Sequence, residues 1–236
     1  MIKLNYIKYY LFIFSILLLN TLLFFIKKET FINNEERYRL GDMIRFKIQR
    51  KKDNGYKYHS TNFPNSIAVQ YMNTTDKEND MDTLLKIINK NTNNNHLKYK
   101  DYIVLHLRTG DIIESKTHNK NKKGKDFLSY KINKYVNPIS YYENILNELK
   151  KYTNLKNILI ISGFHSKGNH KESLEYINGI EDFFKRKNYI IEKRINQDPD
   201  DDFLIMCNSK YFIKSGGGFS NIISKIVNKK KNKVFE

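Results

Sequence analysis

A charged triplet follows a short apolar run in the middle of this 236-residue chain. The run reads IVLHLRTGDII, so His106, Arg108 and Asp111 come where a buried strand should end. The planar guanidinium of an arginine can hold two phosphate oxygens and keeps its charge. Gly110 permits a turn, and Asp111 could fix the loop by accepting backbone N–H bonds. The stretch predicts an anion-binding loop. The alternatives are a salt bridge from Arg108 to Asp111 and a hydrogen-bonded core role for His106.

A second candidate loop has the sequence SGGGFS and precedes an amphipathic helix. Glycines let the backbone approach a ligand closely, and the free N–H groups and dipole of a helix N-terminus favour an anion. The loop lacks the lysine of a P-loop, and a flexible tight turn is the alternative. We predict a phosphate cradle made by Ser215, Gly216, Gly217, Gly218, Phe219 and Ser220.

Four acids in the sequence DPDDD have two interpretations. Oxygen-rich clusters suit Mg²⁺ or Mn²⁺, and Asp198, Asp200 and Asp202 could hold such an ion. However, Asp198 as N-cap, Pro199 as the first helical residue and acids in the first turn are what a helix start favours. We favour the helix start and predict no metal. Cys207 is the only cysteine, which excludes an intrachain disulfide and a zinc site built on cysteine pairs.

Strands and helices alternate in the second half of the chain. Strands are predicted at 102–107, 157–162, 189–192 and 211–214, with amphipathic helices between and after them. This alternation predicts an α/β fold with a doubly wound parallel sheet. Such sheets bind ligands beyond the carboxyl ends of their strands. Three loops fall there: His106–Asp111, Ser162–His165 and Ser215–Ser220.

The chain divides into four predicted parts. Residues 1–28 contain an uncharged apolar run bracketed by lysines, which predicts a signal-anchor helix across a membrane. Residues 29–60 form a stem, 61–100 a small helical region and 101–236 a Rossmann-like domain. The insert Ser115–Asn137 is rich in lysine and is either a basic flap or a solvated loop.

The two candidate loops together resemble motifs of the GDP-fucose-dependent fucosyltransferases. HLRTGD is similar to their H-x-R-x-G-D motif, and DDFLIMCNSKYFIKSGGGFS is similar to their later nucleotide-binding motif. The resemblance covers roughly residues 100 to 228. It implies a metal-independent GT-B-type donor domain behind a type II membrane anchor, in a lumen of the endoplasmic reticulum or Golgi type. Thr109 stands where many relatives have a second arginine.

The resemblance also implies roles for individual residues. Arg108 would bind the donor diphosphate and stabilise charge on the leaving group. Ser215 and the amides of residues 217–220 would hold the same phosphates, and Asp202 or Asp201 would contact the ribose or guanine. His106, Gly110 and His165 complete the expected substrate-binding set.

The expected function is therefore inverting transfer of a sugar from GDP-fucose to a glycan or protein acceptor. The nucleotide sugar is a substrate and no cofactor is expected. The net charge of +17 fits an anionic partner, although biased composition explains it equally well. Nucleic acid is not expected, because no recognition helix or exposed aromatic sheet is apparent. Arg108 and Asp111 are the expected catalytic residues, with Asp42 and Glu114 as further candidates for the base.

Two alternatives remain open. The small helical region leaves little chain for an acceptor-binding domain, which favours a catalytically inactive protein that binds a glycan or phosphate. A metal-dependent transferase of the GT-A type, using the DPDDD acids, is the other alternative.

Overall fold

The computed structural model describes residues 66–75, 77, 79–114, 126–164 and 169–236. The predicted anchor (1–28) and stem (29–60) lie outside these ranges, as do His165 and Asp42. Within the described ranges, no helix combines the length and the apolar composition needed to cross a bilayer.

Eight helices lie in the described ranges, and their starts follow local sequence signals. The side chain of Asp80 caps the second helix by accepting the Thr83 N–H, and Asp198 caps the seventh, with Pro199 as its first residue. The helices are α1 (Ile67–Thr74), α2 (Met81–Asn91), α3 (Asn94–Leu97), α4 (Asp111–Glu114), α5 (Ile139–Leu149), α6 (Lys171–Arg186), α7 (Pro199–Cys207) and α8 (Gly218–Lys229).

Five strands form one sheet in which every neighbouring pair is parallel. The strands are β1 (Ile103–Arg108), β2 (Asn157–Gly163), β3 (Ile190–Ile195), β4 (Tyr211–Ile213) and β5 (Lys233–Phe235). Their order in the sheet is β3-β2-β1-β4-β5. The order reverses at β1, so that β2 lies on one side of it and β4 on the other. This is the strand order of a Rossmann-like sheet, whose ligand crevice opens at that reversal.

Helices cover both faces of the sheet. Successive residues of a strand point to opposite faces, so each strand contributes side chains to two apolar clusters. On one face, Val104 and Phe212 pack with α1, α2, α7 and α8; we call it the α8 face. On the other, Leu105 and Ile213 pack with α5 and α6; we call it the α6 face. The predicted α/β class with a parallel sheet covered on both faces is therefore confirmed.

The helices of the predicted region 61–100 share their apolar cluster with the α/β part. Tyr71, Leu84 and Ile88 are fully buried beside Phe203 of α7 and Ile223 of α8. Their burial depends on the same sheet face that supports the candidate site. These helices therefore form one layer of the α/β unit rather than a separately packed body.

Two elements after residue 100 were not predicted from the sequence. Strand β5 has only three residues and directly follows a lysine run, so it has too little apolar pattern to be recognised. Helix α4 is a single turn, from Asp111 to Glu114, inside a stretch predicted as loop. It begins after Gly110, whose φ of 69° is the left-handed conformation that glycine tolerates best.

Candidate functional site

The two candidate loops meet at the carboxyl ends of β1 and β4. His106 belongs to β1, and its Nδ1 lies 2.8 Å from the hydroxyl of Ser215, which follows β4. The ring of His106 also packs edge-on against Phe219 in the first turn of α8, with centroids 5.6 Å apart. Both His106 and Ser215 are buried. The crevice at the strand-order reversal is thus built by the two stretches that the sequence analysis selected.

The glycine loop is shaped by two different constraints. A Cβ on Gly216 would lie 2.4 Å from the Cα of Tyr135, so no side chain fits there unless the backbone moves. Gly217 has a φ of 101°, which L-residues rarely adopt, while a Cβ there would meet nothing closer than 3.8 Å. Gly216 is therefore required by close packing and Gly217 by backbone conformation.

The serine hydroxyls of this loop form hydrogen bonds within the protein. Ser220 Oγ accepts the backbone N–H of Ser215 at 3.1 Å, and the Ser215 hydroxyl is taken by His106. These two hydroxyls fix the shape of the loop. The backbone amides are different: among the described residues, the N–H groups of Gly218, Phe219 and Ser220 have no hydrogen-bond acceptor.

Part of the lysine-rich insert covers this loop. Residues 126–137 are described and are tied to it by a hydrogen bond from the Gly216 N–H to the Tyr135 carbonyl, at 3.2 Å. The Nζ of Lys134 lies 5.2 Å from the centre of the Tyr135 ring. Within the described part of the chain, Lys134 forms no ion pair, so an exposed ammonium group stands near the glycine loop.

Arg108 forms the salt bridge that the sequence analysis gave as its alternative role. Its NH2 group lies 2.7 Å from Asp111 Oδ1, and its NH1 group donates to the Thr109 carbonyl at 3.2 Å. The Arg108 side chain is mostly buried, and Asp111 is about a quarter exposed. Asp111 therefore orients the guanidinium at the end of β1.

Thr109 lies in a buried hydroxyl network. Its Oγ1 is 2.7 Å from Ser162 Oγ, and Ser162 donates to the Leu107 carbonyl at 2.9 Å. The Thr109 hydroxyl also donates to the Gly163 carbonyl at 3.3 Å, so the two hydroxyls and two strand-end carbonyls form one network. Thr109 is fully buried, so a long cationic side chain at this position would have no room.

Glu114, a candidate for the base, stabilises a helix start. Its Oε1 accepts the N–H of Ser173 in the first turn of α6 at 2.8 Å, and Ser173 Oγ accepts the N–H of Gly110 at 3.1 Å. These two bonds join the H-x-R-x-G-D loop to α6. The carboxylate of Asp111 is held in the salt bridge with Arg108, and the carboxylate of Glu114 caps the start of α6.

The DPDDD acids point to different partners. Asp198 caps its own helix, Asp200 Oδ2 accepts the Ile67 N–H at 3.1 Å, and Asp201 Oδ1 lies 3.1 Å from His96 Nε2. In the described part of the chain, no three His, Cys, Asp or Glu side chains are grouped as a metal site requires. The cluster therefore attaches α7 to α1 and α3.

The fourth acid, Asp202, pairs with Arg194 at the end of β3, with Nε 2.8 Å from Oδ1. Burial raises the pKa of Asp202 to about 6, and the neighbouring guanidinium opposes that rise. Arg194 lies beside Ile161 of β2, which lies beside His106 of β1, all on the α8 face. The backbone of Arg194 is therefore two strands, or roughly 10 Å, from that of His106.

The structure thus brings His106, Gly110, Arg108 and Asp111 together with residues 215–220, and it pairs Asp202 with Arg194. Of the residues that position the site, Ser162 was predicted only as part of a candidate loop, and Ser173, Arg194 and Tyr135 were not predicted. Their roles come from contacts across the fold, and no local motif marks them.

Comparison with known protein families, with curated proteins and with solved structures finds no match.

Proposed function

We propose that the chain is a membrane-anchored glycosyltransferase that uses a nucleotide sugar, GDP-fucose, and inverts the configuration of the transferred sugar. One observation carries the proposal. The H-x-R-x-G-D stretch lies at the end of β1 and the glycine loop follows β4, its neighbour at the order reversal, and the two are joined by the His106–Ser215 hydrogen bond. A Rossmann-like sheet binds its nucleotide at this place.

The charges of the site favour a diphosphate. Arg108 and Lys134 are cationic, and the amides of Gly218 and Phe219 open the twelve-residue helix α8, whose dipole is positive at that end. A diphosphate lying between β1 and α8 would accept hydrogen bonds from these amides. His106 and Ser215 keep the loop in the shape that aims the amides at the crevice.

The proposed chemistry needs charge stabilisation more than a covalent step on the protein. When the bond from the sugar to the diphosphate breaks, negative charge builds up on the leaving group. Arg108 and the α8 amides are fixed in place before reaction, and preorganised groups of this kind lower a barrier more than mobile ones. Asp111 keeps the Arg108 guanidinium in position. It is also the acid nearest to the proposed reacting centre, and thus our candidate for the base.

Donor binding can be tested by thermal unfolding of the full chain in mild detergent with GDP, UDP, ADP or CMP. A ligand at about 100 times its Kd adds about 2.7 kcal/mol of stability. We expect a shift with GDP that does not need Mn²⁺. A shift only with UDP and Mn²⁺ would refute the proposal and support the metal-dependent alternative.

The location of the site has its own test. Arg108→Ala should abolish the GDP shift, because it removes the side chain placed against the diphosphate. Arg186→Ala is the matched control, since Arg186 is an exposed arginine in the last turn of α6 and should leave the shift unchanged. An undiminished shift in the Arg108 variant would place the nucleotide elsewhere.

One observation favours the catalytically inactive alternative. Asp111 and Glu114 are both committed to internal contacts, in the Arg108 pair and at the α6 start. A protein that binds GDP but needs no base would have the same arrangement. Release of GDP from GDP-fucose in the presence of glycan acceptors separates the two functions, because a binding protein would shift in unfolding temperature without any turnover.

A further inference from the structure

Lysine is concentrated at the amino ends of the strands, at the end of the sheet opposite the candidate site. Five segments lead from a helix into a strand: 98–102, 150–156, 187–189, 208–210 and 230–232. We call them together the basic edge. Their 21 residues contain nine lysines and one acid, Asp101. This is more than twice the density of Lys and Arg in the whole chain, which has 42 in 236 residues.

Helix capping explains only part of this concentration. Cations near a helix C-terminus are favoured within its last turn, which accounts for cap residues such as Lys98, Lys150, Lys187 and Lys230. The other five lysines lie beyond the caps, where the dipole no longer favours them. They are Lys100, Lys151, Lys156, Lys210 and Lys231.

The charge on the basic edge is compensated only in part by neighbouring acids, such as Glu192, whose charge acts on Lys98. Eight of its nine lysines are exposed, and among the described residues none of the eight forms an ion pair. Some of them lie over aromatic rings instead, such as Lys156, whose Nζ is 4.8 Å from the ring centre of Tyr189. Unpaired cations on one surface attract an anionic partner.

Exposed apolar side chains lie among these lysines. Of the five large hydrophobic residues exposed in the described ranges, three are within or next to the basic edge: Leu97 at 41%, Tyr152 at 49% and Ile190 at 67%. Leu97 precedes Lys98, and Ile190 directly follows the segment 187–189. Tyr152 lies toward the other side of the sheet, 5.8 Å from Phe235 of β5.

The basic edge extends across all five strands. All five strands are parallel, so their helix-to-strand segments fall at one edge. Five strands at roughly 4.8 Å spacing extend this edge over about 19 Å, and helices widen it on both faces. A surface of lysines with interspersed Tyr, Leu and Ile has the composition of a peripheral membrane-binding face.

We infer that the basic edge docks on an anionic lipid bilayer, with Leu97, Tyr152 and Ile190 entering the headgroup region. Leu97 and Ile190 are aliphatic and cannot stack on bases, and all the cations of the basic edge are lysines, with no arginine among them. Both features argue against nucleic acid as the partner. The uncharged apolar run from Tyr9 to Ile26 in the same chain, long enough for a bilayer, agrees with a membrane partner.

Docking can be measured with single tryptophan reporters, because the chain has no tryptophan of its own. Ile190→Trp and Tyr152→Trp place reporters on opposite sides of the basic edge. Tyr130→Trp is the control reporter, since Tyr130 is 54% exposed and its segment lies by the glycine loop at the other edge. The full chain is reconstituted into phosphatidylcholine vesicles with or without roughly 30% phosphatidylserine, containing brominated lipid.

We expect quenching of both basic-edge reporters in the phosphatidylserine vesicles and of neither in the neutral ones. The Tyr130→Trp reporter should stay unquenched. Raising the salt from about 0.1 to about 0.5 M should reverse the quenching, because it screens exposed charges. Equal quenching in neutral vesicles, or none in anionic ones, overturns the inference.

Charge reversal gives an independent test. Each lysine near an anionic surface contributes about fivefold to binding, so three reversals should weaken docking by on the order of 100-fold or more. The test variant carries Lys150→Glu, Lys151→Glu and Lys210→Glu. The matched control carries Lys86→Glu, Lys171→Glu and Lys225→Glu, which are exposed lysines on helices with the same change in net charge. Equal loss in both variants would show a net-charge effect and overturn the assignment. Binding of RNA with no lipid quenching would assign the edge to nucleic acid instead.

Discussion

Replacing Asp202 with Asn should remove a specific pH dependence of stability. Burial raises the folded-state pKa of Asp202 to about 6 from an ordinary value of 3.8, although Arg194 opposes that rise. Between pH 3.8 and about pH 6, Asp202 binds more protons in the folded protein than in the unfolded chain. The unfolding free energy of the protein therefore falls as the pH rises through this range. The loss from this group is absent well below pH 4 and complete somewhat above pH 6.

The size of the effect follows from the two pKa values. A difference of about two pKa units corresponds to about 3 kcal/mol at roughly 1.4 kcal/mol per unit. Asn cannot ionise, but its side-chain oxygen can still accept the Arg194 hydrogen bond. The stability of Asp202→Asn relative to wild type should thus rise by about 2 to 3 kcal/mol between pH 4 and pH 6.5. Urea unfolding followed by far-UV circular dichroism at several pH values measures this difference.

Asp80→Asn is the matched control with the opposite sign. The Thr83 N–H and the Thr75 hydroxyl hold the pKa of Asp80 below its ordinary value. That carboxylate stabilises the protein above its unfolded pKa, and its contribution is lost as the pH falls. Asp80→Asn should therefore lose stability relative to wild type as the pH rises. A relative stability of Asp202→Asn that stays flat from pH 4 to pH 6.5 would refute the assigned burial effect.

Three further substitutions test the construction of the site. Gly217→Ala should destabilise by about 1 to 2 kcal/mol because of the positive φ, whereas Gly163→Ala, where a Cβ would meet nothing within 4 Å, should cost less than half as much in the same thermal unfolding assay. Thr109→Val keeps the buried shape but removes a hydroxyl bonded to Ser162, and urea unfolding should show a loss of about 1 kcal/mol. Glu114→Ala should cost about 1 kcal/mol and speed amide exchange at the start of α6; an unchanged exchange rate would contradict its capping role.

The core of the fold could be predicted because local patterns and tertiary demands agree. β1 and β2 are continuous apolar runs, as strands covered on both faces must be, and their bounds differ from the predictions by one residue or less at each end. Asp198 and Pro199 mark the start of α7 by capping rules alone. Strand β3 extends to Ile195 and is longer than predicted. The prediction was too short because β3 is the outermost strand, and its polar residues lack the apolar pattern of a central strand.

The site was only partly predictable, because residue type gives chemical capacity and not the partner. Ser215 and Ser220 can bind phosphate, yet their hydroxyls are used by His106 and by the loop backbone. Asp202 can bind a ribose, yet it pairs with Arg194 of β3, 8 residues earlier in the chain, and this pairing is fixed by how α7 packs. Such partners depend on the packing of separate elements, which no local spacing encodes.

The two proposed surfaces lie at opposite edges of one parallel sheet, and this separation makes them independent. Strands begin at the basic edge and end at the candidate site, so β1 runs from beside Lys100 to Arg108. A bilayer at the first edge leaves the second open to solvent and to an acceptor. Arg108→Ala should therefore leave lipid docking intact, and the triple lysine reversal should leave the GDP shift intact. If the lysine reversal also abolished the GDP shift, the two surfaces would be coupled, and the assignment of separate roles to the two edges would be wrong.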